Sequence, residues 1–259
     1  MKLLIIKALY KTLLSTLPIF TYNSISNLFF IPFNVQPYST YVNFKLDNYQ
    51  INILKKYIQK YTENLELYPI KILPNDIPSY FLSVNIYNCT SPIFLNKNVT
   101  RCEINTYVKD KYNNYGTLIL DYCSNFLSLD PVDLFKNGEQ ALFLQKNNNF
   151  QYKIKNNDIN FDINLKIIEK TIKNEISESL IKFTDNIFYK NGICDKLYYD
   201  SSLVKSNILF PEFYKDFSFE YKQLNLKKIH SIFLFKDRMN FICGLWHNLY
   251  NKIYSFDIK

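Results

Sequence analysis

Four glycines, two histidines, two arginines and one tryptophan occur among 259 residues, and each scarcity closes off a class of chemistry. A dinucleotide fingerprint needs three clustered glycines, and a P-loop needs a glycine-rich turn ahead of Lys-Ser/Thr. Gly116, Gly138, Gly192 and Gly244 stand far apart, so neither motif exists. His230 and His247 leave little room for a histidine-rich metal site or a zincin, and no metal or cofactor is expected. They are the only imidazole bases and no nucleophile elbow is present, so no Ser-His-Asp set can be argued. Cys89, Cys102, Cys123, Cys194 and Cys243 are an odd number with no CxxC pair. That speaks against a disulfide framework or a zinc ribbon.

What is abundant is Asn, Lys, Ile, Tyr and Phe, with alanine only at Ala8 and Ala141, the pattern expected of an AT-rich genome. The net charge of +8 would ordinarily point to an anionic partner. Its lysines are spread evenly and codon bias explains them, so no nucleic-acid partner is expected. Met1 to Leu17 is apolar, with Lys7, Lys11 and Ser15 forming one polar stripe, which reads as an amphipathic helix. A secretory signal would need an unbroken apolar run and a small-residue cleavage site. The expectation is a cytoplasmic protein, with secretion or anchoring through residues 1–20 as the alternative. The sequons at Asn88 and Asn98 would matter only in a secreted chain. No later stretch reaches the ~18 apolar residues of a membrane-spanning helix.

Residues 1–34 read as the amphipathic helix and an extended lead-in, and 35–259 as one domain. Asp47 or Asn48 caps a predicted helix with Ile51, Leu54, Ile58 and Tyr61 on one face. Pro69, Pro74 and Pro78 forbid long helices before residue 80. From 80 to 168 the period is two. Leu82, Val84 and Ile86 alternate with Ser83, Asn85 and Tyr87, and Cys102, Ile104, Thr106 and Val108 alternate with Arg101, Glu103, Asn105 and Tyr107. Residues 110–116 form a turn, with Gly116 closing it, and Thr117 to Cys123 returns, so that Cys102 and Cys123 can face each other. Ala141–Gln145, Phe150–Lys155 and Phe161–Ile167 extend an antiparallel meander. A helix is predicted over 168–188, further strands near 197–199, 217–221, 231–235 and 240–246, and a turn at 236–239 between the last two. The fold class is α+β, a curled antiparallel sheet or barrel with flanking helices.

Strand alternation puts Arg101, Glu103, Asn105 and Tyr107 on one face. That face is either an outward solvated surface or the lining of an interior that holds a polar ligand. In a chain that uses lysine almost everywhere, Arg101 suits bidentate contact with a carboxylate, and Glu103 could be its partner. Arg238, in the predicted turn, reads as solvated or structural. Lys136 follows Leu134 and Phe135 and precedes Gly138, so it could be a desolvated, nucleophilic amine.

The runs Tyr80–Ile86, Thr100–Asp110, Tyr115–Tyr122 with its Leu120-Asp-Tyr segment, Leu129–Lys136 and Phe235–Cys243 together resemble the acetoacetate decarboxylase-like superfamily, over roughly residues 35 to 250. The resemblance implies a curled antiparallel barrel or cone with a buried cavity. It implies Lys136 as the imine-forming catalytic lysine with Glu103 in the catalytic set, and Arg101, Asn105 and Tyr107 as substrate contacts. A lysine so used is activated by desolvation or by a neighbouring cation, as in acetoacetate decarboxylase itself. The chain departs from the pattern at Asn137, where a second lysine is usual, and at Phe135 in place of proline, and it has no arginine before Arg101. Three functions therefore stand: a lyase acting on a small keto acid, a non-catalytic small-molecule or lipid-binding module on the same barrel, or an interaction protein without a pocket, which would leave Arg101 and Glu103 on open surface. The partner expected of the first two is a small carbonyl or carboxylate ligand; a membrane is not expected, and a homo-oligomer is left open.

Overall fold

A computed structural model describes residues 31–61, 65–91, 95–113, 115–126, 140–147, 149–155, 159–166, 177, 180, 187–190, 193–199, 208–209, 212–213, 218–221, 224–226 and 228–243. The predicted N-terminal helix and Lys136 lie outside these residues. So does almost all of the helix predicted over 168–188, whose last positions, Ile187 and Phe188, instead belong to a strand.

The chain is mostly antiparallel sheet. Its first strands are β1 (Ile31–Val35) and β2 (Ser39–Lys45), followed by helix α1 (Asn48–Tyr61) and then β3 (Leu65–Leu67), β4 (Phe81–Thr90), β5 (Asn98–Asp110) and β6 (Tyr115–Ser124). Next come β7 (Gln140–Lys146), β8 (Asn149–Lys155), β9 (Ile159–Lys166), β10 (Ile187–Lys190) and β11 (Ile193–Tyr199). Short strands follow at β12 (Ile208–Leu209), β13 (Glu212–Phe213), β14 (Ser218–Tyr221) and β15 (Leu224–Asn225), before β16 (Ile229–Phe235) and β17 (Met239–Cys243).

An eleven-stranded sheet runs β12-β16-β2-β4-β1-β17-β11-β10-β6-β5-β3, and β4 also pairs with β5. Its pairings therefore form a cycle: β4, β5, β6, β10, β11, β17, β1 and back to β4. Among the described residues every ladder is antiparallel except β6–β10, which the meander read from the sequence did not include. The six-stranded second sheet follows β15-β14-β9-β8-β7, with β13 also on β9.

Residues 236–238 join β16 to β17, but those two strands do not pair with each other as a hairpin would. β16 pairs with β2 and β17 with β1, so residues 31–45 and 229–243 form one long antiparallel ribbon. The ribbon bends where Gln36–Tyr38 meets Lys236–Arg238. There Tyr38 takes φ 72, its N–H donates to Phe235 O at 2.7 Å, and exposed Arg238 reaches Gln36 at 3.3 Å. One arm of the bent ribbon stays beside β4 through β2, and the other carries the cycle on through β17 to β11.

Asparagine supplies much of the backbone freedom that four glycines cannot. Asn96, Asn113 and Asn147 take positive φ in the β4–β5, β5–β6 and β7–β8 connections. Asn enters the left-handed region more readily than other non-glycine residues. Gly116, expected to close the β5–β6 turn, is instead a strand residue opposite Val108.

The core lies between the sheets. Val42, Phe44, Leu82, Val84, Ile86, Cys102 and Ile104 from the first sheet meet Tyr152, Ile154, Phe161, Ile163 and Phe219 from the second. The Thr40 hydroxyl hydrogen-bonds the Tyr152 hydroxyl across this contact. Leu54 and Ile58 of α1 join the same cluster. Asp47 starts that helix: its carboxylate accepts from Gln50 N–H at 2.8 Å while the Gln50 side chain accepts from Asp47 N–H at 3.0 Å, a reciprocal capping box.

Candidate functional site

The opposite face of the first sheet is also covered, and it is polar. Arg101, Glu103, Asn105 and Tyr107 are 4 %, 9 %, 3 % and 2 % exposed. An outward solvated face is thereby excluded for all four. Strand pairing extends them into rows across the sheet. Asn105 lies opposite Ser83, Ser83 opposite Asn43 and Asn43 opposite Ser231; Glu103 lies opposite Asn85 and Asn85 opposite Tyr41.

Three hydrogen-bonded groups occupy this face among the described residues. In one, Arg101 Nε donates to Glu103 Oε1 at 2.8 Å, and the Tyr87 hydroxyl donates to the same oxygen at 2.8 Å. The Arg101 guanidinium also lies 4.1 Å from the Tyr122 ring centroid, a stacked geometry that suits a planar cation. In a second, Ser83 Oγ donates to Asn43 Oδ1 at 2.6 Å and contacts the Tyr107 hydroxyl at 2.9 Å, while Asn43 Nδ2 donates to Ser231 Oγ at 3.2 Å. In a third, Ser39 Oγ donates to Asn85 Oδ1 at 3.2 Å, and Asn85 Nδ2 donates to the Tyr41 hydroxyl at 3.0 Å. Burial, and then the Glu103 charge, push the Tyr87 hydroxyl well above its ordinary value. Burial raises Tyr107 too.

Asn105 stands between the first two of these groups on β5. Its Oδ1 is buried with no hydrogen-bond partner among the described residues. Beside it the β5–β6 register slips: Ile104 pairs with Asp121 but Asn105 with Ile119, leaving Leu120 as the extra residue of a β-bulge. Bulges re-aim side chains and concentrate next to functional sites. This one changes which residues of β6 share the polar face, placing Tyr122 and Ser124 opposite Glu103 and Arg101. The same slip sets Cys102 opposite Cys123 on the apolar face, as the sequence had suggested; both are free thiols.

Burial pushes the Cys89 thiol up to about 12, against a lowering influence from Arg101, and lifts Cys102 well above its ordinary value, with Cys123 adding to the rise. Cys89, Cys102 and Cys123 are all buried, so folded protein at about pH 8 should leave them unlabelled by iodoacetamide. Peptide mass mapping should find them alkylated only after denaturation. Fast labelling of Cys89 in folded protein would mean that the sheet interior is open to solvent.

The structure thus brings together Arg101, Glu103, Asn105 and Tyr107, and it adds Ser83, Asn85 and Tyr87, the polar half of an alternation already visible in β4. Asn43 and Ser231 carried no such signal. Lys136 falls outside the described residues. Among the described residues no three His, Cys, Asp or Glu side chains converge to hold a metal ion, and no helix is long and apolar enough to cross a membrane. Comparison with models of protein families, with curated proteins and with solved structures yields no match to this chain.

Proposed function

We propose that the chain is a small-molecule-binding domain whose cyclic path of strands encloses a barrel interior, and that the face bearing Arg101, Glu103, Asn105 and Tyr107 reads a small carboxylate or carbonyl ligand there. One observation carries this reading: a sheet face that could have been filled with aliphatic side chains instead buries an ion pair and rows of Ser, Asn and Tyr. Burying a polar group costs free energy unless it is hydrogen-bonded, and burying charge costs more. The buried Asn105 Oδ1, at a bulge and without a hydrogen-bond partner among the described residues, is where a ligand would complete the network. Free, buried Cys102 and Cys123 in direct opposition suit a reducing compartment, so we place the domain in the cytoplasm.

The resemblance to the acetoacetate decarboxylase-like superfamily supports a second reading, imine chemistry on a keto acid through Lys136 with Glu103 in the catalytic set. The chain leaves β6 at Ser124, opposite Arg101, and Lys136 follows twelve residues on.

Acetoacetate and borohydride separate the two. On the binding reading, native mass spectra show a non-covalent complex with acetoacetate that survives Lys136→Ala and is lost in Asn105→Leu. On the imine reading, borohydride traps a reduced adduct mapping to Lys136. Absence of an adduct ends the imine reading. If the protein neither carries a small molecule through purification nor takes up acetoacetate or other small carboxylates, the binding reading fails as well.

A further inference from the structure

The segment Tyr68–Tyr80 forms a strap over one end of the polar face. It leaves β3 with Tyr68 N–H donating to Tyr107 O at 2.9 Å, and Ile70 and Ser79 close its neck with two backbone hydrogen bonds of 2.9 Å. Ile70 and Ile72 are buried against Phe81, Tyr107, Leu180 and Phe233. Tyr107 and Phe233 share the face that carries Asn105 and Ser231, so the strap covers the edge of the polar rows.

One side chain of the sheet reaches the strap by an unusual route. Ile229 pairs with Phe44 and Ser231 with Asn43, which leaves His230 as the extra residue of a second β-bulge. The bulge takes His230 out of the ladder, and its Nε2 lies 2.9 Å from Asp76 Oδ2 in the strap. The same carboxylate oxygen accepts from Leu73 N–H at 2.8 Å, so Asp76 ties the arch of the strap to itself and to β16 at once. Both side chains are more than three-quarters buried.

We propose that His230 and Asp76 form a latch that holds the strap down on the sheet, and that breaking this pair lets the strap open as a unit while the sheet stays folded. The proposal goes beyond the ligand-binding reading and stands or falls separately from it; where that reading holds, an open strap uncovers the Tyr107 end of the ligand-bearing face.

The charged groups of the strap are Lys71 and Asp76. From β4 the Phe81 ring, uncharged, lies 5.0 Å from the imidazole. From β2, Asn43 and Phe44 sit opposite the bulge, with exposed Lys45 following, and exposed Lys228 precedes on the chain of His230 itself. Burial alone would raise the Asp76 carboxyl, but the Leu73 N–H and His230 outweigh it and hold it below its ordinary 3.8. A depressed carboxyl contributes its stabilisation above the unfolded value and loses it as pH falls through the folded one. The latch is therefore shut at neutral pH and released in acid.

Hydrogen exchange of the full-length chain, read by mass spectrometry and corrected for intrinsic rates, tests this. At neutral pH, Asp76→Asn and His230→Ala should each lower protection of the 68–80 amides about tenfold while β4 and β5 keep theirs. His230→Gln, whose amide can still donate to Asp76, should retain more than His230→Ala. In the unaltered protein, strap protection relative to β5 should fall with acid below about 3.8, and Asp76→Asn should flatten that dependence. Unchanged strap protection in both Asp76→Asn and His230→Ala overturns the proposal, as does loss of strap protection only in step with β4 and β5. If a variant does not fold, the acid profile of the unaltered protein decides: a strap that holds its protection relative to β5 through the acid range also overturns it.

Discussion

Replacing Glu103 with alanine is expected to destabilise the domain by about 3–5 kcal/mol, among the largest effects of any single substitution on the polar face. The carboxylate is the ion-pair partner of Arg101, whose side chain is 5 % exposed, and it accepts the Tyr87 hydroxyl on the same oxygen. Its removal leaves a guanidinium charge in the sheet interior with its carboxylate gone and water unable to replace it. An exposed pair of the same geometry would be worth only about 0–1 kcal/mol, so the size of the loss reports burial directly. The double substitution Arg101→Met with Glu103→Leu removes both charges and should recover most of the loss, since apolar side chains of similar volume replace buried ion pairs at little or no net cost. Denaturant unfolding of the two single variants and the double variant gives the coupling from one cycle. A Glu103→Ala loss below about 1 kcal/mol would mean that the pair is solvated, and the reading of this face as an interior would go with it. A double variant that is stable but no longer binds a small carboxylate would show that the pair is kept for the ligand.

The same strand marks how far the sequence could be read. The alternation over 101–108 identifies the two faces of β5, because side chains on a strand have a period of two. It does not say which face is covered, since a polar set looks the same on a solvated surface and in a hydrogen-bonded interior. The clue that survived was chemical: an arginine in a lysine-rich chain, two residues from a glutamate. The start of α1 was legible to the residue or nearly so, because Asp47 and Gln50 carry the capping box in a four-residue window. The ribbon of 31–45 with 229–243 was not, because its two halves lie some two hundred residues apart and only their register joins them. That is why residues 236–239 read as a hairpin turn when they are one side of a bend. Both bulges escaped for a related reason. An extra residue at Leu120 or His230 is defined only against its partner strand, yet these two slips put Tyr122 under Arg101 and His230 against Asp76. Asn43 was missed because nothing within 31–45 alone says that its neighbours across the ladder are Ser83 and Ser231.

Phe44→Ala is expected to cost about 3–5 kcal/mol, and to loosen both sheets together. Phe44 is fully buried on β2, and its ring centroid lies 5.0 Å from that of Phe219 on the second sheet. Phe219 in turn meets Phe161 edge-on at 5.4 Å. The three rings therefore run from the first sheet into the second, and aromatic pairs at such separations add about 0.5–1.5 kcal/mol each beyond the area they bury. Truncating the first ring removes that area, leaves a cavity that rigid strands on both sides fill only in part, and strips Phe219 of one neighbour. The second sheet buries only one face: Phe150, Tyr152 and Ile154 point inward while Lys153 and Lys155 are exposed. Its stability consequently depends on the contact that Phe44 helps to make. Unfolding midpoints should fall, and exchange protection of β8 and β9 should drop along with that of β2. A comparable truncation on the polar face, Asn105→Ala, removes no ring and breaks no hydrogen bond to Oδ1 among the described residues, so it should cost less than about 1.5 kcal/mol. If Phe44→Ala left β8 and β9 fully protected, the two sheets would be folding independently and the aromatic contact would not be what joins them. The expected contrast is between positions rather than whole faces: Phe44 joins the two sheets, as Glu103 neutralises a buried charge, whereas truncating Asn105 breaks no hydrogen bond to its Oδ1 among the described residues.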